Sequence, residues 1–292
     1  MSGPYAGIEL GGTKCVCTLA AGPEAVLARE TVATTTPEET LGRIGALLEG
    51  WRDGEGIAAL GIASFGPVDL DPASPGWGSI TTTPKPGWAG ADVARRLGQA
   101  ARAPVVFDTD VNGAALAEMR WGAGQGLRDF AYVTVGTGIG VGLIVNGAPT
   151  RGFAHCELGH VRVPRLEGDD WPGVCPYHGG CVEGLASGPA IKTRLAGQSL
   201  AELGEDDPLW EGVAHALAQM CHAVVCAAAP RRIAMGGGVM EGQAHLLPRI
   251  EALLVESLAG YMTLPQGRPY LTAPGLGAEA GPLGPIALAM SA

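Results

Sequence analysis

Two carboxylates and a carboxamide fall within the run Asp108-Thr109-Asp110-Val111-Asn112, between the apolar stretch Val105–Asp108 and a helix-period stretch over Asn112–Trp121. Polar side chains at the carboxyl end of a strand face the crevice where open α/β sheets hold ligands. A carboxylate in that place can take a proton from a substrate hydroxyl. Asp and Asn also cap helix N-termini, so the run fits a capping role as well. Both roles can share it, with Asp108 the more expendable carboxylate.

Glycine turns supply a second kind of chemistry. Gly11-Gly12-Thr13-Lys14 lies between two apolar runs, where glycine lets backbone N–H groups approach a phosphate and the Thr hydroxyl and Lys ammonium add donors. A tight hairpin turn makes the same use of a glycine pair. Gly136-Thr137-Gly138 stands at the equivalent place in a later stretch, YVTVGTGIGVGLIV over Tyr132–Val145. Two such turns can grip a triphosphate from both sides. Gly236-Gly237-Gly238 follows a short apolar run and offers a third backbone surface, suited to the adenosine. The pattern GxxxxGK[ST] is absent, and no GxGxxG opens a helix with an acidic partner downstream, so a nucleotide is held in another way.

Nitrogen and sulfur ligands cluster at His160, Cys175, His178 and Cys181, spaced H-x14-C-x2-H-x2-C. Four ligands of these types suit tetrahedral zinc with no position left for a catalytic water, which is a structural site. Cys156 competes as a ligand because it lies close before His160. Cys15, Cys17, Cys221 and Cys226 fall on strand or helix patterns and read as small buried hydrophobes. An odd total of 7 cysteines, with no secretion signal at Met1, argues against a disulfide framework.

These residues need a scaffold. Gly7–Leu19 reads as strand, turn, strand, and Tyr132–Val145 repeats the plan, so the chain is expected to hold two copies of one lobe. Pro37–Trp51, Asp207–Ala229, Pro248–Leu264 and Ala278–Ala292 carry helical patterns. Ala58–Phe65 and Arg232–Met235 read as strands, and Pro72–Trp88, rich in Pro, Gly and Thr, as a loop. The chain has 292 residues, 47% of them hydrophobic and 16% charged, with no apolar run long enough to cross a bilayer. A cytoplasmic protein without membrane contact is expected. The net charge of -10 works against nucleic acid as a partner.

With these residues placed, the sequence resembles the ROK family of sugar kinases (repressors, open reading frames and kinases) from about Gly7 to Ala289, and within it the zinc-containing bacterial fructokinases. The likeness rests on GIASFGPVDL (Gly61–Leu70), TPKPGW (Thr83–Trp88), DTDVNGAA (Asp108–Ala115) and CPYHGGCVEGLASGPAI (Cys175–Ile191). It implies an α/β protein with two ribonuclease-H-like lobes of the actin-like, hexokinase-like ATPase fold and an interlobe cleft. The expected lobes are 1–112, joined by the terminal helix 278–292, and 113–277, carrying a zinc loop over 155–183. It implies ATP-dependent transfer of the γ-phosphate to the 6-hydroxyl of D-fructose, with magnesium and structural zinc, in a homodimer. By the same likeness Asp110 is the base, and Gly66, Pro67, Asn112, Glu157, His160 and Glu183 bind sugar. Gly11, Gly12, Thr13, Lys14, Gly136, Thr137 and Gly138 hold phosphates, and Pro189 with Gly236, Gly237, Gly238, Val239 and Met240 lines the nucleotide pocket.

The sequence departs from the family at two places. Glu9 stands where most members have Asp, within reach of water on magnesium, and Cys156 where fructokinases often have Pro. A glucose, mannose or N-acetylhexosamine kinase of the same fold is the alternative. A sugar-sensing repressor fits less well, because the first glycine turn starts too early for a preceding DNA-binding domain and Asp110 is retained.

Overall fold

The computed structural model describes residues 3–198 and 203–292. The described residues divide into two compact units, one running through Gln125 and adding Pro149–Cys156 and Ala278–Ala292, the other made of Gly126–Ala148 and Glu157–Gly277.

In the first unit, β1 (Tyr5–Leu10) and β2 (Lys14–Ala20) form an antiparallel hairpin around Gly11-Gly12, with Leu10 opposite Cys15. β3 (Val26–Ala33) extends it, and helix α1 (Pro37–Gly54) leads to β4 (Leu60–Ser64), parallel to β1. Helix α2 (Val93–Ala101) leads in turn to β5 (Val105–Thr109), parallel to β4, and α3 (Asp110–Trp121) follows without a break. α1 begins where sequence signals coincide: the Thr36 hydroxyl accepts from the Glu39 N–H at 3.3 Å, and Pro37 occupies a position whose N–H has no helical partner. Its buried stripe of Leu41, Ile44 and Leu48 joins Ile8, Leu10 and Ile62 of the sheet in one core. Each such side chain contributes about 1.5–3 kcal/mol on leaving water.

The second unit repeats the plan. β6 (Phe130–Val135) and β7 (Ile139–Val145) form the second hairpin, edged by the short β8 (Ala148–Pro149). Helices α4 (Val182–Ala186), α5 (Gly188–Arg194) and α6 (Pro208–Ala228) precede β9 (Ile233–Gly236), which is parallel to β6. α7 (Gly238–Glu241), α8 (Leu246–Leu258) and β10 (Leu271–Thr272) complete it. The sheet orders β3-β2-β1-β4-β5 and β8-β7-β6-β9-β10 match strand for strand, as a duplicated lobe requires. Among the described residues no helix is long and apolar enough to cross a membrane.

The last helix, α9 (Ala280–Ala289), returns to the first unit and lies against β1, β4 and α3. A Cβ on Gly284 would lie 2.7 Å from the Gly113 carbonyl carbon, so α3 and α9 meet backbone to backbone. That contact fixes the start of α3, where Asp110 sits.

Three elements differ from the sequence expectation. α8 ends at Leu258 rather than Leu264, because Ala259 turns left-handed (φ 50) with Gly260 after it (φ 75). α3 begins at Asp110, two residues before the helical period becomes visible. β3 lacks any apolar alternation: only Val32 along it is buried.

Candidate active site

Strand β5 and helix α3 meet at Thr109, whose hydroxyl accepts from the Asn112 N–H at 3.2 Å and caps the helix. Thr109 thus takes the capping role, and neither carboxylate beside it is needed for that task. Asp108 is wholly buried and accepts from the Thr109 N–H at 2.7 Å, from Asn112 Nδ2 at 2.8 Å and from the Arg151 guanidinium. Far from being expendable, it ties Asn112 to Arg151. Asn112 is itself only 1% exposed.

Asp110 Oδ1 accepts from the Val111 N–H at 2.8 Å, and no cation pairs with it among the described residues. Burial pushes its carboxyl up to about 6, held there against a further rise by backbone N–H groups. Such a group is mostly ionised at neutral pH yet basic enough to accept a proton. Glu9, on β1, is pushed up to about 7 by burial and then by the Asp110 charge, with Lys14 and Arg29 acting in the opposite direction. Asp110 therefore ionises first, while Glu9 still carries its proton.

The Gly11–Lys14 turn has its carbonyls occupied from behind. Gly11 O accepts from the Thr34 hydroxyl at 2.7 Å, Gly12 O from Lys85 Nζ at 2.6 Å and Thr13 O from the Thr34 N–H at 3.0 Å. The N–H groups of Gly12 and Thr13 find no acceptor among the described residues and both residues are exposed. Donors without acceptors, fixed in a turn beside a strand end, are able to hold an anion.

Gly66 and Pro67, joined by a cis peptide, follow β4. Phe65 N–H bonds to Leu10 O at 2.9 Å, and Pro67 O accepts from the Thr81 N–H at 2.8 Å. On the other side the Val68 N–H donates to His155 Nε2 at 3.0 Å. An accepting Nε2 requires the neutral ring, and burial accordingly lowers the His155 pKa. His155 was not singled out in the sequence; nor was Arg151.

In the second unit the Gly136–Gly138 turn, Glu183, Pro189 and Gly236–Met240 come together. Gly136 O accepts from the Gly188 N–H at 2.8 Å, placing Pro189 and the start of α5 beside the turn. Glu183 Oε2 accepts from the Ile139 N–H at 3.0 Å. Gly237 (φ 92) lies so close to β6 that a Cβ would stand 2.6 Å from Val135 O, which seats the glycine run against the strand. Glu157 lies just before a single 3-10 turn, Leu158–His160, and is exposed.

Ligand atoms of His160, Cys175, His178 and Cys181 all lie within 4.8 Å of one another, a group that could hold a metal ion. Cys156 is not in this group. His160 Nδ1 is 3.7 Å from Cys175 Sγ and 3.6 Å from Cys181 Sγ, and His178 Nδ1 is 3.7 Å from Cys175 Sγ. Zinc bonds of ordinary length at tetrahedral angles separate sulfur from nitrogen by roughly 3.5 Å, so the donor set fits zinc.

Residues 5–292 match the ROK family. The chain belongs to the ROK family. Its curated relatives include a fructokinase of Zymomonas mobilis, 44% identical over 99% of this chain and 97% of that protein. A fructokinase of Pediococcus pentosaceus is 40% identical over 98% of this chain and 97% of that protein. Among solved structures, a ROK family glucokinase from Streptomyces griseus in complex with glucose and AMPPNP superposes with a TM-score of 0.78 at 27% identity, covering 99% of this chain and 100% of that one. The chain thus has the two-lobed, actin-like ATPase fold of ROK sugar kinases, which the matching sheet orders reflect.

Proposed function

We propose that this ROK protein is an ATP-dependent fructokinase that transfers the γ-phosphate of ATP to the 6-hydroxyl of D-fructose, with Asp110 as general base. The observation that carries the reading is the pairing of 44% and 40% identity to fructokinases over nearly the whole chain with an Asp110 carboxyl poised at about 6. The superposed glucokinase structure is less similar, at 27% identity.

Asp110 accepts the proton of the 6-hydroxyl as that oxygen attacks the γ-phosphorus and the bond to the β-phosphate bridge breaks, leaving ADP. The uncapped N–H groups of Gly12 and Thr13, with the Thr13 hydroxyl and Lys14, hold phosphate oxygens; Thr137 and Gly138 do the same from the second hairpin. Gly236–Met240 and Pro189 line the adenosine pocket. Magnesium bound with ATP would neutralise phosphate charge, and Glu9 is the side chain that would hold water on it. Gly66, Pro67, Asn112, Glu157, His160 and Glu183 bind the sugar. Asn112 Nδ2 gives one of its two hydrogens to Asp108, which leaves the second hydrogen and the amide oxygen for a sugar hydroxyl.

Zinc held by His160, Cys175, His178 and Cys181 would supply a structural staple. His160 would bind it through Nδ1, which would leave Nε2 for a sugar hydroxyl, while Glu183 lies in the first turn of α4, two residues after Cys181. Family likeness further supports a cytoplasmic homodimer, testable by sedimentation of the purified chain.

The deciding assay is magnesium- and ATP-dependent ADP release at matched fructose, glucose, mannose and N-acetylglucosamine, with Asp110→Asn as the blank. Fructose leading, with the variant dead, supports both parts of the reading. Another hexose leading overturns the choice of sugar, and no turnover with any sugar overturns the kinase.

A further inference from the structure

We infer that Lys85 is a positioning residue of the phosphate turn: its ammonium holds and polarises the Gly12–Thr13 peptide so that the Thr13 N–H faces the transferred phosphate. This deepens the reading above and rests on Gly11–Lys14 being a phosphate turn.

The Gly12 carbonyl and the Thr13 N–H belong to one planar peptide and point in opposite directions. Lys85 Nζ lies 2.6 Å from that carbonyl oxygen and 3.4 Å from Thr34 O. A full positive charge on a carbonyl enlarges the peptide dipole, and the N–H at its other end becomes the stronger donor. Thr34 grips the two flanking carbonyls of the turn with neutral donors. Lys85 alone brings a charge.

The lysine is delivered by a fixed loop rather than by a loose one. Trp88, three residues on, is wholly buried, donates from Nε1 to Thr35 O at 2.8 Å and meets the Phe65 ring edge-on at 5.4 Å. The Lys85 N–H donates to the Thr83 hydroxyl at 3.3 Å. Both ends of the reach are thereby set, and the ammonium need not be ordered anew when nucleotide binds.

The test separates charge from tethering. Lys85→Gln keeps a donor for the Gly12 carbonyl and removes the charge; Lys85→Arg keeps the charge. The expected result is a fall of roughly 10-fold in kcat/KM for ATP in Lys85→Gln, with KM for fructose and the thermal midpoint unchanged, and recovery of most of the loss in Lys85→Arg. The Thr13 amide proton of ¹⁵N-labelled protein should move upfield in Lys85→Gln. Wild-type kcat/KM in Lys85→Gln would overturn the inference. So would equal losses in both variants or a lowered thermal midpoint in Lys85→Gln, since each marks a tether. Titrating labelled wild-type protein with magnesium AMPPNP tests the underlying reading separately. If the Gly12 and Thr13 amides stay still, the phosphate turn itself is wrong and Lys85 falls with it. If they move while Lys85→Gln is normal, Lys85 alone is wrong.

Discussion

Replacing Asp110 by Asn should remove activity and add stability, and the pH dependence of both effects follows from one shift. The folded carboxyl titrates at about 6 against 3.8 in the reference state. Between pH 7 and pH 5 the ionised fraction drops from about nine-tenths to about one-tenth, so kcat should fall roughly 10-fold along a limb of unit slope. Glu9, titrating at about 7, is still protonated when Asp110 ionises, so a Glu9→Gln variant should keep the limb where it is. Asp110→Asn should lose roughly 10²- to 10⁴-fold in kcat and lose the limb with it. Stability runs the other way. A raised folded pKa means the carboxyl favours the folded state below about pH 4 and penalises it once pH passes 6. Relative to Asn, the ionised Asp110 therefore costs about 3 kcal/mol at pH 8 and less than about 1 at pH 4. Thermal melts of both proteins at pH 4 and pH 8, alongside initial rates from pH 5 to 8, test this. Near-normal turnover in the variant, or a limb that survives in it, would refute Asp110 as the base; a gain in stability independent of pH would refute the shift.

Further outcomes follow from the same geometry. Chelation of a protein carrying about one zinc per chain should lower the thermal midpoint and raise KM for fructose, and Cys181→Ser should reproduce both effects; metal analysis by mass spectrometry with calorimetry checks it. Arg151→Gln leaves the buried Asp108 carboxylate without its cation. A fully buried pair would lose about 3–5 kcal/mol, and because the Arg151 side chain is 40% exposed a loss of about 2 kcal/mol is expected, with KM for fructose rising as Asn112 loosens. Denaturant unfolding and steady-state kinetics measure the two parts. Gly284→Ala forces a Cβ to within 2.8 Å of the Ala114 nitrogen and should cost about 1–3 kcal/mol while displacing the start of α3, so kcat should fall together with the urea midpoint.

Much of the scaffold was legible because burial leaves a period in the chain. The two hairpins announce themselves by apolar runs on either side of glycine turns, and α1 by its cap, its first-turn proline and the spacing of Leu41, Ile44 and Leu48. β3 was invisible for the converse reason: nearly all of it faces solvent, so no alternation was imposed on its side chains. The nitrogen and sulfur side chains that could hold a metal were readable as a group, since Cys175, His178 and Cys181 span a short loop and only His160 comes from further away.

What stayed hidden are the long-range contacts around the candidate site residues. Arg151 reaches Asp108 across 43 residues, Lys85 reaches Gly12 across 73, and His155 meets the Val68 N–H across 87. No period or spacing links residues so far apart, because their meeting depends on which strands the fold sets side by side and where the loops between them return. Candidate phosphate turns and a strand-end carboxylate can be recognised by type, since the chemistry proposed for them demands particular residues at particular local positions. Their supports face only a geometric demand, a donor for one carbonyl or an acceptor for one N–H, which many side chains could meet. A lysine on Gly12, a threonine on Gly11 and a histidine on Val68 therefore become functional statements only once the backbone groups they satisfy have been located.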